Sequence, residues 1–220
     1  MKQNMALFAV IGLGSFGSTI ATQLVSLNHD VIGMDNNKRN VESISDQITH
    51  AVIADATDEH VLKELNIQNC EAVVVAIGED IEASILCVLH LKNMGMNKIW
   101  AKAKSKAHHM ILTHLGVDKI IHPEEDMGTR VAQSLSYPMV SRYMGLEDNH
   151  FIVKIEIKTS LHGKHFNHLM EHVTEIKTLL FKRGNQILFT IDPNLILQEG
   201  DILVVEGELE PLRKLSARFK

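Results

Sequence analysis

Apolar residues fill positions 6–11 without a break. Such a run predicts a strand covered on both faces, as in a parallel sheet. Beyond it Phe16, Ile20, Leu24 and Leu27 return at intervals of four, four and three, the period of one helix face. Further apolar runs at 30–34, 51–54, 72–77, 98–102 and 119–121 predict five more strands. Between them, helices are expected at 36–45, from Asp58 through Leu62 and Leu65, at 80–94 and at 107–115. Asp58 fits an N-cap, and Gly116 fits the left-handed stop that ends many helices. On 80–94 the inward face is expected to carry Ile81, Ile85, Val88 and Leu89. Strand and helix alternate strictly, which predicts an α/β doubly wound parallel sheet with right-handed crossovers.

After Ile121 the pattern changes. Glu124, Glu125 and Asp126 open a helix whose first turn favours carboxylates, with Met127, Val131 and Leu135 as its apolar stripe. Pro138 interrupts it. Tyr137, Met139, Val140, Tyr143, Met144 and Leu146 then form an apolar segment. It fits either a linker packed on its own domain or an arm crossing to a second subunit. From Asn149 a second, small domain is expected: 151–157 alternates apolar and polar residues as a half-exposed strand does, further strands follow at 176–181, 186–190 and 202–205, Arg183-Gly184-Asn185 forms a hairpin turn, and a closing helix runs over 208–219. The expected division is a nucleotide-binding domain at 1–136, a crossover at 137–149 and a small α+β lobe at 150–220. About 70 residues make a small core, so that lobe is expected to lean on a partner copy.

The first strand and helix are joined by Gly12, Leu13, Gly14, Ser15, Phe16 and Gly17, which spell G-x-G-x-x-G. Gly12 allows the tight turn. Gly14 lets a pyrophosphate approach the backbone, and Gly17 lets helix and strand pack closely. The helix start offers unpaired N–H groups and a partial positive charge to phosphates. The second strand ends in Asp35, where a carboxylate can accept both hydroxyls of an adenosine ribose. In such sheets ligands lie outside the carboxyl ends of the strands. Asp55, Ala56 and Thr57 and then Ile77 and Gly78 stand at two further strand ends, with Asp55 and Thr57 expected near the adenine and its ribose. The competing readings are a glycine turn that binds nothing and an Asp55 that is an ordinary turn residue. Strand, spacing, helix and acid agree on a dinucleotide-type site.

Composition narrows the class. The 220 residues are 45% hydrophobic, and the net charge of −5 is not gathered in any block. A nucleic-acid partner is therefore not indicated. Cys70 and Cys87 lie in apolar or helical contexts and are expected to be reduced core residues of a cytosolic protein. The opening residues run straight into the first strand, which leaves no room for a signal peptide. No apolar run approaches the ~20 residues of a membrane span, so any membrane role is expected to come through a partner.

Three stretches, VIGLGSFG at 10–17, AIGEDIEAS at 76–84 and IIHPEEDMG at 120–128, resemble the KtrA/TrkA family. These are RCK-domain regulatory subunits of bacterial potassium uptake systems, and the similarity covers the whole chain. Gly163-Lys164 and Glu199-Gly200-Asp201 match the C-terminal RCK lobe more loosely. The resemblance implies a Rossmann-like N-lobe and homodimers that close an octameric ring beneath a dimeric, membrane-embedded potassium-translocating subunit. The chain would then be cytoplasmic and peripheral to the membrane. It implies NAD(H) or ATP/ADP at the glycine turn, with phosphates at Gly12, Gly14, Ser15, Phe16 and Gly17. Asp35 would hold the ribose, and Asp55, Ala56 and Thr57 would lie near the adenine. It implies that Glu124 helps hold a divalent or monovalent cation near the phosphates at a dimer interface; the alternative is an acid that complements the helix dipole. The family pattern has arginine where this chain has Ser15. Serine supplies no bidentate charged contact to a terminal phosphate, which favours NAD(H) over ATP-versus-ADP discrimination. The resemblance further implies a cyclic di-AMP site between paired C-terminal lobes, though 171–177 lacks the arginine and Tyr-Gly of that site. The residues available for it are Phe166, Leu169, His172, Ile176 and Pro193, with core packing as the alternative for each.

A rival reading is an NAD-dependent oxidoreductase, which shares the cofactor motif. It needs an acid or base beside the nicotinamide, and the short β-rich second half offers no such constellation. His108 and His109 are adjacent, so they do not share a helix face, and solvated positions are expected for both. A stand-alone nucleotide-binding dimer is the third reading.

Overall fold

The computed structural model describes residues 5–136, 140–146, 149–171, 173 and 175–217. The chain divides into two compact units between Asp126 and Met127. In the first, β1 (Leu7–Ile11), α1 (Ser15–Ser26), β2 (Asp30–Asp35), α2 (Lys38–Glu42), β3 (His50–Ile53), α3 (Glu59–Glu64) and β4 (Ala72–Val75) alternate as expected. They are followed by α4 (Ile81–Asn93), β5 (Ile99–Lys102), α5 (Lys106–His114), β6 (Lys119–Ile121) and α6 (Pro123–Ser136). The unit boundary falls within α6.

The six strands are parallel in the order β3-β2-β1-β4-β5-β6. This is the doubly wound order, with its switch point between β1 and β4. Side chains alternate across the sheet. Ala9, Ile11, Val73 and Val75 pack on one face with Leu62, Val88, Leu91 and Leu112 of α3, α4 and α5. Val10, Val31 and Val74 pack on the other with Ala21 and Val41 of α1 and α2. Both faces are thus covered, as the unbroken apolar run required.

Several local expectations hold at atomic detail. Asp58 caps α3 by accepting from the His60 N–H at 2.9 Å. Gly116 takes a φ of +72° after α5. Cys70 and Cys87 are free and buried, and burial pushes their thiols up to about 11 and about 12. Others are corrected. The inward side of α4 is Ser84, Cys87, Val88 and Leu91, while Ile81 and Leu89 face outward. Leu27 is exposed beyond the end of α1, whose most buried residues are Gly17 and Ala21. His108 is not solvated but 1% exposed. Ser105 Oγ accepts from the His108 N–H, and His108 Nδ1 accepts from the Lys104 N–H. This reciprocal cap at the head of α5 draws the imidazole inward.

The second unit contains a five-stranded sheet in the order β10-β9-β11-β8-β7. Its strands are β7 (Val140–Gly145), β8 (His150–Glu156), β9 (Ile176–Arg183), β10 (Gln186–Leu188) and β11 (Ile202–Glu208). Part of the segment expected as a crossover is therefore β7, antiparallel to β8. Residues Tyr137, Pro138 and Met139 lie outside the described residues. The core brings Val153, Ile155, Phe181, Leu203 and Val205 of the sheet against α7 (Phe166–Met170) and α8 (Leu209–Ala217). The buried Asp201 carboxylate anchors this unit. It accepts from Arg183 Nε and Nη2 at 2.8 and 2.7 Å and from the Gln198 N–H at 2.7 Å.

Candidate functional site

The carboxyl ends of β1, β2, β3 and β4 enclose a cavity of ≈ 370 Å³. Its wall contains Gly12, Gly14, Asp35, Asp55, Ala56, Thr57, Ile77 and Gly78, so the four expected strand ends do converge. Ser15, Phe16 and Gly17 are not part of this wall. Ser15 is exposed, Phe16 packs against the α1 side of the sheet, and Gly17 is buried behind the turn.

The glycines differ in what surrounds them. Gly12 has a φ of +95°, and a Cβ there would meet the backbone of Ala76 and Ile77 at 2.9 Å. A Cβ on Gly17 would lie 1.8 Å from the Gly12 carbonyl oxygen. A Cβ on Gly14 would meet nothing within 4 Å. Gly12 and Gly17 therefore let helix and strand touch, and Gly14 opens onto the cavity. Gly14 is also the N-cap of α1, with no side-chain cap and no acid in the first turn. The first N–H groups of this 12-residue helix have no partner within it, so an anion in the cavity would meet donors and a positive dipole end.

Asp35 is held more firmly than the sequence suggested. Its Oδ2 accepts from the Leu13 N–H at 2.7 Å and from Asn40 Nδ2 at 3.0 Å, and its Oδ1 accepts from the Asn37 N–H at 2.7 Å. A carboxylate has about four acceptor positions. About one remains for a ribose hydroxyl, not the two expected. Asp55 Oδ1 accepts from the N–H and the hydroxyl of Thr57 at 2.9 and 2.8 Å, which holds its carboxyl below the usual range.

The sequence did not signal the asparagines or the lysines. Asn36, Asn37 and Asn40 line the β2 side. Asn37 caps α2 by accepting from the Arg39 N–H, and that cap aims Asn40 at Asp35. Lys102, at the end of β5, stands over Gly78, where a Cβ would lie 2.9 Å from its Nζ. Its ammonium pairs with Glu124 Oε1 at 2.5 Å, and the neighbouring Lys104 pairs with Glu79 at 2.8 Å. The hydrogen bond from Lys102 holds the Glu124 carboxyl below its ordinary value. Among the described residues no group of three or more His, Cys, Asp or Glu gathers into a metal site. In the single chain Glu124 is a lysine's ion-pair partner.

The residues considered for a second ligand fare differently. Phe166, Leu169 and Ile176 are buried in the core of the second unit. Pro193 sits exposed in a turn, its carbonyl accepting from the Asn167 N–H. His172 lies outside the described residues. In the single chain these three side chains pack in the core, and Leu169 also lines a pocket with Leu161, Lys164, His168 and Glu171. Among the described residues no helix is long and apolar enough to cross a membrane.

The TrkA-N domain family matches residues 8–123. Over 208 residues the chain is 40% identical to Ktr system potassium uptake protein A of Bacillus subtilis (strain 168), covering 94% of each chain. It is 33% identical to the protein of the same name from Vibrio alginolyticus, covering 100% of this chain and 99% of that one. The crystal structure of the GsuK RCK domain superposes with a TM-score of 0.61 at 16% identity, over 100% of this chain and 48% of that chain. The GsuK channel bound to NAD gives 0.60 at 17% identity, over 100% of this chain and 40% of that chain. The chain thus spans half or less of those solved chains, and at such identities the likeness is one of fold. With its first half matched by the TrkA-N model and its length by Ktr proteins at 33–40% identity, the chain belongs to the KtrA/TrkA family of potassium uptake proteins.

Proposed function

We propose that this chain is a cytoplasmic nucleotide-sensing gating subunit of a Ktr/Trk-type potassium transporter. An adenosine nucleotide occupies the cavity at the glycine turn, with its phosphates at the N-terminus of α1 and its ribose at Asp35. Asp55, Ala56 and Thr57 lie toward the adenine. The observation that carries this reading is Gly14: open space in front of it, an uncapped helix behind it, and a fixed carboxylate beside it. The potassium-uptake relatives and the NAD-bound GsuK channel support the same direction. The chain performs no turnover. Binding biases one conformation of an assembly over another, and it does so only by favouring one of them.

NAD(H) fits the site better than ATP does. Ser15, the first residue of α1, supplies no charge, and the ammonium of Lys102, which stands over Gly78, is engaged by Glu124. A terminal phosphate or a cation arriving at Gly78 would compete for that ion pair. Ser15→Arg is expected to raise ATP affinity more than ADP affinity in calorimetric titrations. Equal effects on the two nucleotides would show that position 15 does not face the terminal phosphate.

Homodimers assemble into an octameric ring against a membrane-embedded potassium-translocating subunit. Met127, Val131 and Leu135 of α6 are 56, 50 and 77% exposed in the single chain, an apolar stripe suited to contact with another copy. Light scattering is expected to give about 197 kDa, eight times the 24.6 kDa chain. A species that stays monomeric with and without nucleotide would contradict the ring.

A further inference from the structure

The nucleotide site leaves one cluster of chemistry unused. His109 of α5 and His122, between β6 and α6, stack with ring centroids 5.0 Å apart and planes 20° apart. His109 Nδ1 and His122 Nε2 share a hydrogen bond of 2.8 Å. Both rings are half-buried, and neither lines the nucleotide cavity.

We propose that His109 and His122 form a two-imidazole site for a borderline transition-metal dication, with zinc as the representative. Zinc–nitrogen bonds are about 2.0–2.1 Å, which sets two nitrogens on one ion about 2.9–3.4 Å apart. An ion there breaks this hydrogen bond: the donor ring moves its proton to its other nitrogen, the two nitrogens part by a few tenths of an ångström, and both rings turn so that their lone pairs converge on the metal. Neutral imidazoles suit zinc, copper and nickel, whereas magnesium and calcium take oxygen donors. Water completes the coordination on the exposed side of the pair. Neutral rings are the form that binds a metal. A bound ion would fasten α5 to the head of α6, the helix within which the first unit ends.

The test uses the untagged full-length chain without nucleotide. Zinc titration by calorimetry is expected to show one site per chain, weakened at least tenfold by His109→Gln or by His122→Gln. His114→Gln, an exposed histidine on the same helix, should leave it unchanged. Zinc should raise the melting temperature of the wild type and of His114→Gln, and not that of the two pair variants. If either pair variant binds zinc within threefold of the wild type, the site is elsewhere and the proposal fails. Should a pair variant not fold, wild-type protein with one equivalent of copper(II) gives the second reading by electron paramagnetic resonance. Nitrogen couplings from two imidazoles support the site, and couplings from one or none overturn it. Because neither histidine touches the nucleotide cavity, failure here leaves the nucleotide reading intact.

Discussion

Gly17→Ala is expected to destabilise the first unit by about 3 kcal/mol or more, the upper range for forcing an atom into a filled site. The added methyl would lie 1.8 Å from the Gly12 carbonyl oxygen, a backbone atom that no rotamer change can move aside. The strand–turn–helix join would have to open, and the anion site would open with it. Gly14→Ala, three residues earlier, is expected to behave in the opposite way. Its methyl meets nothing within 4 Å, and the backbone there has an ordinary φ of −62°. Stability should therefore hold while nucleotide affinity falls at least tenfold, because the methyl stands where phosphate must approach. Urea denaturation and nucleotide titration of both variants check the pair. A stable Gly17→Ala would show that α1 can move away from β1, and an unaffected Gly14→Ala would show that the phosphates lie elsewhere.

Asp35→Ala is expected to have the second-largest effect, and on both properties. Three protein donors lose their acceptor, among them the N–H of the buried Leu13. An orphaned buried donor costs about 1–3 kcal/mol. The ribose contact is lost as well, worth a further ~1–3 kcal/mol of binding, or about 5–150-fold in affinity. Asp35→Asn separates the two losses. It keeps one side-chain acceptor for the turn but loses the charge, so it should retain more stability than Asp35→Ala. Melting curves and calorimetry on the two variants give the comparison. Unchanged nucleotide affinity in both would remove Asp35 from the site.

The glycine turn, the alternation of strand and helix and the four strand ends of the rim were legible because each rests on local chemistry. Gly12 needs its positive φ, Asp58 needs only the N–H two residues on, and the Gly184-Asn185 hairpin needs only its own turn. What escaped the sequence was tertiary. Helix α4 carries apolar residues nearly all round, so periodicity could not say that Ser84 and Cys87 face in while Ile81 and Leu89 face out. His108 looked solvated because no sequence rule marks a histidine as the third-position partner of a Ser105 cap. Neither Lys102 over Gly78 nor Asn40 against Asp35 is announced by spacing. Each depends on where one strand end or one short helix stops relative to another. The same limit applies to Phe166, Leu169 and Ile176, whose apolar character suits both a ligand surface and the core in which the single chain packs them.

The central claim is that the cavity beside Gly14 and Asp35 receives an adenosine nucleotide. Its most direct test is calorimetric titration of the full-length wild-type chain, freed of any co-purified nucleotide, with NADH, NAD, ATP, ADP and AMP in turn. Saturable binding of at least one of them, lost in Gly14→Ala, is the expected result. Absence of binding heat for all five, over several temperatures, would contradict the account.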